Sequence, residues 1–411
     1  MRELAEHYFT HVGPAYSFLA SDYLDGVITN RWANESLSDP ADSLLCGVAA
    51  LGCLFDHRSS ALENQLVESA RNALEHSSFL PSPEINHVLG WLLRVIYLRA
   101  TGSPHANWMA SCTLIHMIET TKLHLEPSDE SILSKSGEEF PAELRRSIYW
   151  IARLFNAWVS SDCGKSQVEL RGASSELPRQ SWTKEQEELC FVSCSFLDPK
   201  FNLEPSEMEA ELARIYALEP VHPMLLLLQC NLALCFFRRS RAMGRFMSDS
   251  SLNLIFGMLK SSLGIVNELV STFSPWWHVV NIPFQGVMVL LVINSDQALR
   301  LLPEALRTLH RIVNEYKTDM CQESYEIACF LVAQERQRRI RKLDYLSSAL
   351  EGHEISRTLG HSVGPSVFSE SSQSLPIFPQ QDLEIGLDPD TSLLDYFLFD
   401  NFTFPTSTSR I

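Results

Sequence analysis

Apolar residues at helical spacing are the feature that most constrains this chain, and they run from its start to about residue 347. Between residues 85 and 101 the apolar positions recur three or four apart, as on one face of a helix: Ile85, Val88, Leu89, Leu92, Leu93, Ile96 and Tyr97. No segment shows a convincing alternation of apolar and polar residues that would predict a β-strand. The pattern therefore predicts an all-α fold, a large multi-helix bundle of packed antiparallel helix pairs.

Glycine and proline mark where these helices end. Gly102 and Pro104 interrupt the first pattern, and a second helix is predicted from about Ala106 to His124. A third follows from about Pro141 to Ser161. Two helices joined by so few residues should pack as a hairpin. The alternative is a helical-repeat array, although no repeat of fixed period is found. Later helices are predicted near 206–218, 222–243, 250–272, 284–299, 302–317 and 321–347.

The composition changes near residue 350, and this predicts three regions. Residues 1–347 form the helical domain. Residues 348–380 are predicted to be a flexible linker, because Ser, Gly, Pro and Gln dominate and bury too little apolar area to offset the entropy of ordering. Residues 381–411 are predicted to be a disordered tail in which acidic residues are interleaved with Leu, Ile, Tyr and Phe.

Charge and cysteine content limit what the chain can bind. Its 411 residues carry a formal net charge of −17, which opposes binding to the phosphate backbone of nucleic acid. The ten cysteines form no C-x-x-C pair, so we predict no metal site and no cofactor. The most apolar run, Met224 to Phe237, is shorter than the ~20 residues of a membrane span, and we predict no membrane association.

Enzyme motifs are not found in the sequence. There is no Walker loop, no G-x-S-x-G elbow, no G-x-G-x-x-G turn and no H-E-x-x-H pair. The nearest approach to the aspartate-rich metal motif of helical lyases is Asp22 and Asp25, which lack the paired aspartates. We predict that the chain is not an enzyme.

Several short motifs share an order and spacing with one protein family. A Gly/Pro turn leads into an Ala/Trp-containing helix at Gly102–Met109, and this helix ends in a Leu-His segment at Leu123–Pro127. A Glu-x-Arg-Arg block that ends in Trp follows at Glu143–Trp150, and a Pro-Trp-Trp segment comes last, at Ser274–Pro283. Together with the opening His7–Leu19 they resemble the middle homology region of fungal zinc-cluster transcription factors, over residues 1–347. The family's Gly-Arg-Pro turn is replaced here by Gly164-Lys165-Ser166.

The resemblance implies a regulator whose usual DNA reader is missing. Family members usually carry an N-terminal binuclear zinc cluster held by six cysteines, beside a basic stretch that contacts DNA. Here the first cysteines are Cys46, Cys53 and Cys112, too far apart for that cluster, and the chain opens at the regulatory region. Direct DNA binding is therefore doubtful. Two alternatives stay open: homo- or heterodimerisation with a DNA-bound factor, and an incomplete gene product.

The tail carries the sharpest functional signal. Acidic residues interleaved with apolar ones are typical of activation domains, whose apolar side chains enter a coactivator groove on binding. The alternatives are a tail that docks on its own domain and an inert terminus. The predicted activation segment comprises Leu383, Ile385, Leu387, Leu393, Leu394, Tyr396, Phe397 and Phe399.

Three further groups have a functional and a structural interpretation. A basic run near the end of the last helix suits nuclear import, or is the solvated face of that helix: Arg336, Arg338, Arg339, Arg341 and Lys342. Either Arg145 or Arg146 is predicted to pair with a carboxylate of a neighbouring helix, beside the motif residue Trp150. Trp276 and Trp277 either line a pocket for a small-molecule effector or pack in the core.

These features predict a nuclear regulator of transcription, an activator that contacts coactivators or the transcription machinery through its tail. The family resemblance implies control of a metabolic or secondary-metabolite gene cluster. The alternatives are a non-transcriptional helical scaffold that binds proteins, and a ligand-sensing regulatory subunit of a separate DNA-binding factor.

Overall fold

The computed structural model describes residues 1–33, 39, 41–56, 60–77, 83–102, 104–126, 140–198 and 203–351. Within these ranges the chain forms fifteen helices and no strand, which confirms the predicted all-α fold. The helices are α1 (Arg2–His11), α2 (Gly13–Tyr16), α3 (Ser21–Ala33), α4 (Asp42–Asp56), α5 (Ser60–Ser77), α6 (Ile85–Thr101), α7 (Pro104–Thr120), α8 (Ala142–Cys163), α9 (Lys184–Phe196), α10 (Pro205–Tyr216), α11 (Pro223–Ala242), α12 (Asp249–Ser271), α13 (Trp277–Ile293), α14 (Asp296–Tyr316) and α15 (Asp319–Glu351).

Neighbouring helices pack against each other in two halves. In the first half α4 lies against α1, α5 and α6, and the series continues from α6 to α7 and from α7 to α8. In the second half α13 is the centre and contacts α11, α12, α14 and α15. A single cluster of buried apolar side chains extends from α1 to α15 and joins the two halves. Most helices that follow one another in the chain thus pack against each other, as predicted.

The boundaries of α13 and α14 differ from the prediction. We expected helices at 284–299 and 302–317, but Pro283 lies inside α13 and Pro303 inside α14. The break falls instead at Asn294, which adopts a left-handed conformation with φ 56°, and at Ser295, whose side chain accepts a hydrogen bond from the Ala298 N–H at 3.2 Å. Local capping therefore sets this boundary, because a left-handed residue followed by an N-cap ends one helix and starts the next.

The 23-residue helix α12 is long and apolar enough to cross a membrane by length and composition. In this fold it lies against α10, α11, α13 and α14. Leu259, Leu263, Val266 and Val270 are buried, and they recur three or four residues apart on one face. This spacing is typical of a helix that buries one face in a bundle.

The last helix extends past the bundle. Its buried positions, Cys321, Ser324, Ala328, Leu331 and Glu335, recur three or four residues apart, and α15 contacts α13 and α14. Every residue from 340 to 350 is exposed. The helix runs to Glu351, past the predicted start of the linker at residue 348. The rest of the predicted linker and the whole predicted tail lie outside the described residues.

Candidate functional site

The Glu-x-Arg-Arg motif holds a loop against α8. The guanidinium of Arg146 donates to Glu126, in the turn after α7, with Nε 3.0 Å from Oε1. It also donates to Glu143, in its own helix, at 2.6 Å. Each carboxylate has a second oxygen that accepts hydrogen bonds from backbone N–H groups of the 164–183 loop. Glu126 accepts from Glu176 at 3.0 Å, and Glu143 accepts from Arg179 and Gln180 at 3.0 and 3.1 Å.

These contacts keep both carboxylates ionised. Hydrogen bonds from Arg146 lower the pKa of Glu126 and raise the pKa of Arg146 itself. Burial alone would raise the pKa of Glu143, but hydrogen bonds from Gln180, Arg146 and Arg179 lower it overall. A carboxylate with a depressed pKa stabilises the folded state above its unfolded pKa, and this contribution is lost as the pH falls through the folded pKa.

A further motif residue, Trp150, supports the same loop. The Trp150 indole N–H donates to the Glu176 carbonyl at 2.9 Å. Glu143, Arg146 and Trp150 are three and four residues apart, which places them on one face of α8. Arg145 donates to the Lys122 carbonyl at 3.3 Å. We call Glu126, Glu143, Arg146 and Trp150 the α8 clamp. It has the contacts of a structural element, because each polar group is satisfied within the fold.

The second tryptophan of the Pro-Trp-Trp segment meets a buried ion pair. The Arg99 guanidinium, near the end of α6, lies 3.6 Å from the centre of the Trp277 ring. It also forms an ion pair with Asp162, near the end of α8, and both side chains are less than a tenth exposed. Burial raises the pKa of Asp162, whereas Arg99 and Arg238 oppose this rise. The ion pair thus joins α6, α8 and α13, where the two halves meet.

A small cavity adjoins the ion pair. Its volume is about 30 Å³, and its lining includes Arg99, Asp162, Trp277 and Asn107, whose Oδ1 has no hydrogen-bond partner among the described residues. This volume accommodates one or two water molecules. Small-molecule sites are roughly 300–1,000 Å³. The cavity beside Trp277 is therefore too small, as it stands, for the effector considered above.

Trp276 packs in the core on the first half of the fold. Its ring makes edge contacts with Phe55, at 4.8 Å between centroids, and with Tyr16, at 5.9 Å. The next residue but one, His278, is buried, and burial lowers its pKa to about 3. His278 is thus neutral at physiological pH, and the surroundings of both tryptophans are those of a packed interface.

The basic run lies on the exposed part of α15. Arg336, Arg338, Arg341 and Lys342 are exposed, and Arg339 is half-buried. Glu335 pairs with Arg339 at 3.2 Å and with Arg338 at 3.9 Å. The run is therefore accessible to a binding partner. The eight residues of the predicted activation segment, Leu383 to Phe399, lie outside the described residues.

Comparisons with known proteins agree with these motifs. Residues 5–198, which contain the α8 clamp, match the family described as the fungal specific transcription factor domain. Transcription factor kojR of Aspergillus oryzae is 34% identical over 378 residues, 90% of this chain and 68% of that protein. This chain belongs to the fungal transcription factors.

Other fungal transcription factor relatives extend the comparison. Protein RDR1 of Gibberella zeae is 34% identical over 361 residues, 86% of this chain and 66% of that protein. Protein RDR1 of Saccharomyces cerevisiae is 26% identical over 352 residues, 84% of this chain and 64% of that protein. The chain thus spans about two thirds of the length of these curated relatives.

Membership of this family decides the class of function. As a fungal transcription factor the chain is a regulator of transcription and not an enzyme. The family points to partners in the transcription machinery or bound to DNA. Sequence reasoning found Arg146 and Trp277 by their motifs. It missed Arg99 and Asp162, because they belong to no motif and meet only through packing between distant helices. It also did not single out Glu126, in the Leu123–Pro127 motif, as the partner of Arg146.

The α8 clamp gives a prediction. Replacing Arg146 by Lys removes the forked contact to two carboxylates, since an ammonium is a point donor and a guanidinium is a planar fork. We expect the free energy of unfolding to fall by about 1–2 kcal/mol. We also expect trypsin to cut the folded protein faster at Arg171 and Arg179, in the released loop.

The control is Arg214→Lys, because Arg214 also contacts two carboxylates, Glu211 and Glu188, but is more exposed and holds no loop. A loss below about 0.5 kcal/mol is expected there. Equal proteolysis of the native protein and the Arg146 variant would show that the clamp does not hold the loop.

Proposed function

We propose that this fungal transcription factor is a nuclear activator whose residues 381–411 contact a coactivator. The observation that carries the proposal is the composition of that tail, joined to a transcription factor domain. Between Asp382 and Asp400 there are six acidic residues, no Lys or Arg, and nine large apolar residues, namely the eight of the predicted activation segment and Leu398. Carboxylates keep such a segment hydrated while it is free, and its apolar side chains are buried on binding.

The described helices support this division of labour. Several polar groups that the family motifs supply are engaged inside the fold, as the α8 clamp shows. Contacts with other molecules are then left to surfaces and to the tail. The competing interpretation is that the chain is a repressor. A protein from Schizosaccharomyces pombe named a "probable transcriptional repressor" is 28% identical to it over 123 residues, 30% of this chain.

Two other candidate functions have less support. A ligand-sensing subunit needs an effector site, and the cavity beside Trp277, at about 30 Å³, does not provide one as it stands. A non-transcriptional scaffold would explain neither the membership of a transcription factor family nor the acidic and apolar composition of the tail. The net charge of −17 opposes direct binding of this chain to DNA, so we propose that it reaches DNA through a homo- or heterodimer with a DNA-bound factor.

A reporter assay tests the activation proposal. Residues 348–411 are fused to an unrelated DNA-binding domain, and we expect the reporter to be activated. Changing Tyr396, Phe397 and Phe399 to Ala should lower the reporter signal about tenfold or more, because buried aromatic anchors dominate binding energy at interfaces.

The matched control changes Phe368 and Phe378 to Ala, since these aromatics lie in the linker, away from the acidic cluster. The control should retain its reporter signal. A silent native fusion, or equal signals from native and triple-Ala fusions, would contradict activation by the tail. Repression of a constitutive reporter would favour the competing interpretation.

The basic run of α15 is proposed to direct nuclear import. Arg336, Arg338, Arg339, Arg341 and Lys342 are changed to Gln in a fluorescent full chain that is the only copy in its fungal host. Import receptors bind accessible clusters of cations, so we expect the nuclear fraction to fall severalfold. Transcripts of a contiguous metabolic or secondary-metabolite gene cluster should fall with it.

Changing Arg300 and Arg307 of α14, two other exposed arginines, to Gln is the control and should leave the distribution unchanged. Full nuclear accumulation of the five-residue variant would rule out this run as the import signal. Transcript changes scattered over the genome would contradict the gene-cluster proposal.

A further inference from the structure

The end of α15 exposes a row of aliphatic side chains. Ile340, Leu343 and Leu346 are 44%, 61% and 63% exposed. They are three residues apart along the helix, so they follow one another along one side of it. Single exposed aliphatic residues are common on protein surfaces, but a row of three on a projecting helix is typical of a docking surface.

Cations surround this row. Arg336 and Arg339 lie one turn before Ile340 and Leu343, and Lys342 lies one turn before Leu346. Glu335 pairs with Arg338 and Arg339, whereas Arg336, Arg341 and Lys342 have no carboxylate partner within the part of the chain that the structure describes. We call these residues the α15 docking surface: the five cations from Arg336 to Lys342 together with Ile340, Leu343 and Leu346.

We propose that the chain's own residues 382–400 dock on the α15 docking surface. The two segments match in charge and in apolar content. Residues 382–400 hold six acidic residues and no cation, against five cations on α15, and their apolar residues match the exposed aliphatic row. The acidic residues are Asp382, Glu384, Asp388, Asp390, Asp395 and Asp400.

Charge argues against a second copy of the chain as the occupant. Two α15 helices packed along this row would bring five cations of one copy beside five of the other. Juxtaposed like charges disfavour an interface, and the nearby carboxylates, Glu335 and Asp344, are too few to compensate. The acidic segment of the same chain instead neutralises the surface that it covers.

The connection is long enough for docking within one chain. Residues 352–381 join the end of α15 to the acidic segment, and a coil of about thirty residues spans on average roughly 30 Å. The exposed turns from residue 336 to residue 350 extend for about 20 Å along the helix axis. Such a tether holds the segment at an effective concentration on the order of 1 mM, so even weak docking is populated.

Docking would regulate the proposed activation segment. Leu394, Tyr396 and Phe397 cannot contact α15 and a coactivator at once, so docking and coactivator binding exclude each other. This consequence rests on the proposed function. The docking itself does not, and it is measured separately from transcription.

Hydrogen exchange on the purified full chain tests the docking. The amides of residues 340–350 lie at the exposed end of α15, and a docked segment suppresses the opening through which they exchange. With an effective concentration of ~1 mM and an intrinsic Kd of about 0.1 mM, exchange is slowed about tenfold. The tail variant Glu384→Gln, Asp388→Asn, Asp395→Asn and Asp400→Asn should exchange about tenfold faster than the native chain.

The matched control neutralises four carboxylates elsewhere, with the same change in net charge: Asp129→Asn, Glu130→Gln, Glu138→Gln and Glu139→Gln. The amides of residues 340–350 in this control should exchange at the native rate. The amides of the buried turn around Ala328 and Leu331 should exchange at the native rate in every variant. Equal exchange at 340–350 in all three proteins overturns the proposal. Protection that grows with protein concentration, with a dimer mass by light scattering, overturns it in favour of a second copy.

The reporter assay on isolated residues 348–411 separates the two proposals. An active reporter, together with equal exchange at residues 340–350 in the native chain and the tail variant, would contradict the docking proposal and support the activation proposal. A silent reporter with faster exchange in the tail variant would keep the docking and remove the activation.

Discussion

The buried contact of the Arg99–Asp162 ion pair with Trp277 is the interaction on which the arrangement of the two halves depends. It lies where α6 and α8 end, and Trp277 at the start of α13 covers the guanidinium. Taking two charges out of water costs several kcal/mol per ion, and good geometry with further polar contacts repays this cost. The raised pKa of Asp162 reflects that burial, and the neighbouring cation Arg238 opposes it.

The polar contacts continue from this pair into the second half. Arg238 donates to the Gln285 side chain at 3.1 Å, Gln285 donates to Asn281 at 3.3 Å, and Asn281 donates to Asn231 at 2.9 Å. The three amide side chains are buried, in α11 and α13. Buried polar groups are costly unless they are paired, so this series favours one packing of α11 against α13. The interior of this transcription factor is therefore specified by polar contacts as well as by apolar ones.

Sequence reasoning reached the helices whose signals are local. The apolar pattern of 85–101 matched α6, and α8 ends at Cys163, close to the predicted end at about Ser161, with Gly164 left-handed at φ 58°. Sequence reasoning placed the start of α13 wrongly, because Pro283 lies inside this buried helix but resembles a helix boundary. The residues that do end the helix, Asn294 and Ser295, form a weaker sequence pattern. Arg99 and Asp162 were out of reach for another reason. They are 63 positions apart, and only the folded packing brings them together.

The candidate sites follow the same rule. Motif residues such as Arg146 and Trp277 could be named from the sequence, but their partners Glu126 and Arg99 could not. The basic run of α15 could be recognised in the sequence as a cluster of charges. The exposed row of Ile340, Leu343 and Leu346 could be recognised only in the structure, where α15 extends past the bundle. The buried charges of the helical region thus stabilise its own fold. The exposed end of α15 is accessible to binding partners.

A double-mutant cycle on the buried ion pair tests this arrangement most directly. The free energy of unfolding in urea is measured for the native chain, for Arg99→Met, for Asp162→Leu and for the double variant. Each single change leaves one charge buried and unpaired, so we expect each to cost about 3–5 kcal/mol, and the double variant to recover at least about 2 kcal/mol of the summed loss. Single losses below about 0.5 kcal/mol, or strictly additive losses, would show that the pair does not stabilise the junction at which the two halves meet.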